Sequence, residues 1–129
     1  MTFQDLLTQI QALKFEESRG QTEDYFEAVI SKAGLDPWHK ILTAYFGAPL
    51  KPEGRPPSPE AKEHAGPYGG IREDQTMYFR SDGEYSECAL LWPWGSGNRI
   101  TIKVIRSKGP EPMEGGWPDL MKNLFFRKP

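Results

Sequence analysis

The sequence predicts an α+β fold, with a three-stranded antiparallel β-meander packed with about three N-terminal helices and one C-terminal helix. Apolar residues recur at helical spacing through the first third of the chain, whereas three short runs rich in strand formers occupy residues 75–107. A region rich in proline and glycine separates the two parts. Because 129 residues is a typical length for one domain, residues 1–129 are expected to form a single domain.

Two helices are expected within residues 1–34, because apolar side chains recur there every three or four positions. Thr2 is predicted to cap the first helix, and Gly20 to end its segment. Thr22 is predicted to cap the second helix, and Gly34 to follow its end. The apolar positions of the two stripes are Phe3, Leu6, Leu7, Ile10 and Leu13, then Phe26, Val29, Ile30 and Ala33.

The third helix has the clearest start and stop signals. Asp36 is predicted to be its N-cap, with Pro37 at the first helical position, where a missing N–H costs nothing. Gly47 is predicted to stop it. The apolar stripe that should pack on the rest of the fold consists of Trp38, Ile41, Leu42, Tyr45 and Phe46.

Residues 48–74 are predicted to form a Pro/Gly-rich loop. Six prolines between residues 48 and 70 interrupt any regular helix or ladder. One short helix is expected inside the loop, because Ser58 can cap it, Pro59 can open it and Gly66 can follow it. We predict that residues 48–70 are mobile except around residues 60–65.

Three strands are expected between residues 75 and 107, and the short loops between them predict an antiparallel meander. Asp82-Gly83 is a strong hairpin signal. In the last strand Ile100, Ile102 and Val104 alternate with Arg99, Thr101 and Lys103, which predicts one buried face and one wetter face. A C-terminal helix is expected to open at Pro118.

The composition indicates a soluble cytoplasmic protein with no membrane partner. Cys88 is the only cysteine, so no intrachain disulfide can form, and a lone thiol is ordinary in a reducing compartment. No apolar run approaches the roughly 18 residues of a membrane span, and residues 1–20 do not read as a secretory signal.

Neither a metal site nor a cofactor is expected. The two histidines, His39 and His64, would have to converge with Cys88 from distant segments to bind a metal. Glu60 stands where the inverted zinc-protease motif ending at His64 requires a histidine. Cys88 itself lies in the middle of a predicted strand, so we expect it to be buried and slow to react.

Two alternative functions use other residue groups. A small enzyme could assemble its site from the region of Asp36, His39 and His64, since Asp36 and His39 lie one helical turn apart. A weak nucleic-acid-binding module could instead stack bases on sheet aromatics beside basic side chains. That set consists of Tyr78, Tyr85, Trp92 and Trp94 with Arg80, Arg99 and Lys103. The net charge of −2 and the mild basic excess count against a nucleic-acid partner.

The favoured function is a small non-catalytic protein-interaction or regulatory domain with a protein partner, because no catalytic set is complete in the sequence. Trp94 is the first expected contact residue, since Pro93 should end strand pairing and leave Trp94 in a turn. The alternative for Trp94 is that it folds back as core. Trp92, Tyr68 and Arg99 are the other expected contact residues.

Overall fold

The computed structural model describes residues 1–108, the side chain of Asp82 excepted, and it forms a five-stranded antiparallel sheet with helices on both faces. In chain order the elements are α1 (Phe3–Gln11), β1 (Glu17–Thr22), β2 (Tyr25–Ser31), a 3₁₀ helix (Lys32–Gly34), α2 (Asp36–Phe46), α3 (Pro59–Ala65), a second 3₁₀ helix (Gly66–Tyr68), β3 (Thr76–Asp82), β4 (Tyr85–Pro93) and β5 (Arg99–Lys108). The predicted helix at Pro118 lies outside the described residues.

The α+β class is confirmed, and the predicted meander is confirmed as β3, β4 and β5. The number of strands is wrong, because β1 and β2 extend the sheet to the order β1-β2-β5-β4-β3. Strand β5 therefore lies at the centre of the sheet and pairs with both β2 and β4.

The predicted second helix is wrong, because its residues form β2 and Thr22 ends β1. Every residue from 25 to 30 is buried, and a strand covered on both faces reads as a continuous apolar run rather than as an alternation. Such a run is easily mistaken for one side of a helix. The partner that makes it a strand is β5, with Tyr25 opposite Ile105 and Ser31 opposite Arg99, far away along the chain.

Two predicted caps have different outcomes. Thr2 caps α1 as predicted: its hydroxyl accepts from the Asp5 N–H over 3.1 Å, and the Asp5 carboxylate accepts from the Thr2 N–H over 2.9 Å. Helix α1 ends at Gln11, well before Gly20. Asp36 is not the cap of α2, because Leu35 occupies that position and Asp36 lies in the first turn.

Two hydrophobic clusters lie on opposite faces of the sheet. Helices α1 and α2 cover the first face, and the central members of that cluster are Leu6, Ile10, Trp38, Leu42, Phe26, Ala89 and Ile102. Helix α3 and the 3₁₀ helix after it cover part of the second, which we call the α3 face. Its cluster consists of Tyr25, Ala65, Tyr68, Met77, Cys88, Leu90 and Ile105.

The 48–74 region is more structured than a plain loop. Ser58 caps α3 as predicted, accepting from the Ala61 N–H over 3.1 Å. Lys51 pairs with Met77 at the edge of the sheet, and both residues are buried. The segment thus contributes to the core through both α3 and Lys51. Its predicted mobility stays a prediction, and the exposed residues 52–56 are the part to which it applies best.

Candidate binding groove

A groove of about 730 Å³ lies at the end of the sheet where β4 turns into β5. One wall is the end of β4 and the turn after it, residues 92–96. The other wall comes from the segment that precedes β3, and it consists of Gly69, Gly70, Arg72 and Gln75. The groove therefore joins two stretches of the chain that only the folded sheet brings together.

Trp94 is held in the first wall by backbone and side-chain hydrogen bonds. Its N–H donates to the Arg99 carbonyl over 2.9 Å, and its own carbonyl accepts from the Gly97 N–H over 2.9 Å. Gly97 has a φ of 80°, which suits glycine in this turn. The Trp94 indole Nε1 donates to the Thr101 hydroxyl over 2.8 Å. Trp94 is thus a half-buried side chain fixed against β5. This position lies between the two predicted alternatives, a contact residue in a turn and a residue of the core.

Trp92 lies beside Trp94, and a buried lysine supports its ring. Lys103 Nζ is 4.1 Å from the centroid of the Trp92 ring, and Lys103 is only 1% exposed. The sequence predicts that Lys103 and Thr101 lie on a wetter face of β5. That prediction is wrong at both positions, because both residues are buried. The α3 face is covered here because both indoles lie against β5, through the Lys103 contact and the Thr101 hydrogen bond.

The Trp92 indole nitrogen is the unsatisfied buried donor of this region. Among the residues that the structure describes, Nε1 of Trp92 has no hydrogen-bond acceptor. A buried donor without an acceptor costs about 1–3 kcal/mol of stability. Because this nitrogen is shielded from solvent, an acceptor outside the protein can reach it only after the Trp92 ring or its neighbours move.

The second wall is fixed by Lys51. Its ammonium donates to the Pro52 carbonyl over 2.8 Å and to the Gln75 carbonyl over 2.6 Å, and also to the Glu73 carbonyl. Burial lowers the pKa of this amine. Three carbonyl acceptors match the three N–H bonds of an ammonium group, so Lys51 ties the start of the loop to its end.

Arg72 stands at the mouth of the groove. The Gln75 side-chain oxygen accepts from the Arg72 N–H over 2.7 Å, which fixes the Arg72 backbone. The Arg72 side chain is 69% exposed, and its Nε donates to Asp74 over 3.3 Å. Arg72 is therefore a positioned cation that solvent and ligands can reach.

The structure brings together three of the four contact residues expected from the sequence. Trp92 and Trp94 line the groove, and the guanidinium carbon of Arg99 is 5.8 Å from the Trp94 ring centroid. Tyr68 does not line it, since it is buried on the α3 face with its hydroxyl 3.4 Å from that of Ser107. Burial raises the pKa of the Tyr68 phenol.

The two histidines considered for an enzyme do not converge, although Asp36 and His39 lie near each other. His39 Nδ1 is 2.8 Å from the Tyr78 hydroxyl on the face covered by α1 and α2. His64 stacks on Phe79 at 4.0 Å between ring centroids, on the α3 face. Because Tyr78 and Phe79 point to opposite sides of β3, the two histidines lie on opposite sides of the sheet. Asp36 and His39 line a second, shallow groove of about 710 Å³ along α2.

The residues considered for base stacking are also divided between the two faces. Tyr78 is buried under α2, and Lys103 is buried beneath Trp92. Arg80 lies 4.8 Å from the Tyr45 ring centroid and 3.6 Å from the buried Glu87 carboxylate. These side chains therefore do not form one stacking platform.

Cys88 is buried, as predicted, within the cluster on the α3 face. Burial raises the pKa of its thiol to about 12. In the described part of the chain, no group of three or more His, Cys, Asp or Glu residues is arranged to hold a metal ion. Across residues 1–108, no helix is long and apolar enough to cross a membrane.

The fold and the groove define an α+β protein with two indoles along a concave wall at one end of its sheet. Comparisons with models of protein families, with curated proteins and with solved structures find no match to this chain.

Proposed function

We propose that this protein is a small non-catalytic interaction domain that binds an extended peptide segment of a protein partner in the groove between Trp92 and Gly70. The observation that carries the proposal is the pair of half-buried indoles, Trp92 and Trp94, on one concave wall. Tryptophan is the residue type most enriched among those that dominate binding energy at protein interfaces.

The size of the groove fits a segment of a partner better than a whole protein face. A volume of about 730 Å³ lies within the range of pockets that enclose a small ligand or a few peptide residues. Among the residues that the structure describes, Met1 is the one large hydrophobic side chain classed as exposed. The half-buried indoles of the groove are therefore the main apolar surface on which a partner could pack.

The groove is also pre-formed, which favours binding. Hydrogen bonds hold Trp94 through Thr101 on one wall, and Lys51 ties the loop of the other wall to the sheet. Ordering of side chains and loops is a main cost of association, and rigid walls reduce that cost.

A selection experiment tests the proposal. A random linear-peptide display library is panned on the immobilised full chain, and the recovered peptides are compared on the wild-type chain, on Trp94→Ala and on Phe46→Ala. Phe46 is a matched control, because it is a half-buried aromatic on the opposite face of the sheet. We expect peptides that bind the wild-type chain and Phe46→Ala alike and bind Trp94→Ala about tenfold more weakly or worse. Peptides that bind all three proteins equally would contradict the proposal.

A further inference from the structure

We infer that the groove selects an acidic peptide segment, in which an apolar side chain packs on Trp92 and Trp94 and a neighbouring carboxylate pairs with Arg72. The inference rests on the proposed function and names the chemical class of its partner.

The charge of the groove carries the first step. Arg72 is the one charged residue among the described residues that line the groove, and no acidic residue lines it. Arg72 contacts Asp74 through Nε, and the two terminal nitrogens of its guanidinium can still pair with a second carboxylate in the planar geometry that arginine favours. An acidic side chain is the natural partner for an arginine at the mouth of a binding groove.

Cations also lie against both indoles. The guanidinium carbons of Arg19 and Arg99 are 5.5 Å and 5.8 Å from the Trp94 ring centroid, and Lys103 Nζ lies near the Trp92 ring. These contacts help to hold the two indoles in place, but each of the three cations has an acidic neighbour, so Arg72 is the cation that can attract a ligand.

The same contacts favour a peptide over a nucleic acid. Arg19 and Arg99 are each paired with an acidic neighbour, Glu17 at 3.3 Å and Glu16 at 2.8 Å. A nucleic acid needs several phosphates neutralised at once, and a chain of net charge −2 offers few uncompensated cations for that purpose. A single peptide carboxylate needs only Arg72.

The sequences of the selected peptides give the first test. We expect Asp or Glu to be enriched next to an aliphatic or aromatic residue in peptides whose binding requires Trp94. Enrichment of neutral or basic peptides that still require Trp94 would overturn the acidic class and leave the proposed function standing. Loss of the Trp94 requirement would instead contradict the proposed function itself.

Charge variants give the second test, with one selected acidic peptide as the fluorescent probe in anisotropy titrations. We expect Arg72→Glu to weaken its binding about tenfold or more, and Arg72→Lys to weaken it less. Arg55→Glu is the matched control, since Arg55 is exposed and does not line the groove. Equal effects of Arg72→Glu and Arg55→Glu would overturn the inference, as would tighter binding of a poly-uridine oligonucleotide than of the peptide.

Discussion

Glu27 and Lys103 face each other across strands β2 and β5, and each is only 1% exposed. Tyr25 donates its hydroxyl to the Glu27 carboxylate, and the Lys103 ammonium lies against the Trp92 ring. An acidic and a basic residue are thus buried at directly paired positions of neighbouring strands. Opposite charges at such positions compensate each other in a protein interior.

Glu27→Gln should therefore destabilise the fold. Removing one partner leaves the other buried charge uncompensated, so we expect the free energy of unfolding in urea to fall by about 3–5 kcal/mol. Glu27→Met combined with Lys103→Met should recover most of that loss. Glu23→Gln, an exposed residue in the turn before β2, is the control and should change stability little. A Glu27→Gln chain as stable as Glu23→Gln would contradict this role for the pair.

Trp94→Ala should leave the protein folded. Trp94 is half-buried and makes one side-chain hydrogen bond, so its truncation should cost about 1–2 kcal/mol of unfolding free energy. Trp38→Ala, which removes a fully buried ring under α2, should cost about 3–5 kcal/mol. Thermal melting of both variants measures the difference. A melting temperature for Trp94→Ala as low as that of Trp38→Ala would show that Trp94 is core.

Cys88 should react slowly with a thiol reagent in the native protein. Its side chain is inaccessible and its thiol pKa is raised to about 12, so we expect labelling on the order of 100-fold slower than in denaturant. Native and denatured labelling rates at one pH check this. Equal rates would show that the α3 face opens readily.

The same thiol should make stability depend on pH. Between about pH 9, the ordinary pKa of the thiol, and pH 12, the unfolded chain loses the Cys88 proton while the folded chain keeps it. The unfolded state then binds fewer protons, so the free energy of unfolding falls as the pH rises through this range. Cys88→Ala should show a smaller decline, and identical pH profiles for the two proteins would contradict the account.

Lys51→Met should loosen one wall of the groove. The change removes an ammonium that donates to three backbone carbonyls, while it keeps an unbranched side chain that is one atom shorter. We expect faster amide hydrogen exchange in residues 69–75 and unchanged exchange in the middle of β5. Lys62→Met is the control, since Lys62 is exposed on α3. Unaltered exchange in residues 69–75 would show that Lys51 does not fix this wall.

Helix caps and turn residues within short stretches of sequence were sufficient to predict the ends of two helices. Helix α2 begins near Pro37 and ends before Gly47, and Ser58 caps α3. Strand β2 could not be predicted in this way, because its run of buried residues becomes a strand only by pairing with β5.

The candidate groove was predictable on one wall only. Pro93 and the glycines after it indicated a turn that holds Trp94 near the end of the sheet, and the structure has that turn. Nothing local indicated that Arg72 would face the indoles, because the position of Arg72 depends on a loop that Lys51 ties to the sheet.

The most direct test of the central claim observes the backbone amide and tryptophan indole N–H signals of the full, ¹⁵N-labelled chain while a selected acidic peptide is added. The account predicts that the signals of Trp92 and Trp94 shift and saturate together, whereas the signal of Trp38, buried under α2, stays in place. Saturable shifts confined to the α2 groove around His39, with Trp92 and Trp94 unmoved, would contradict it.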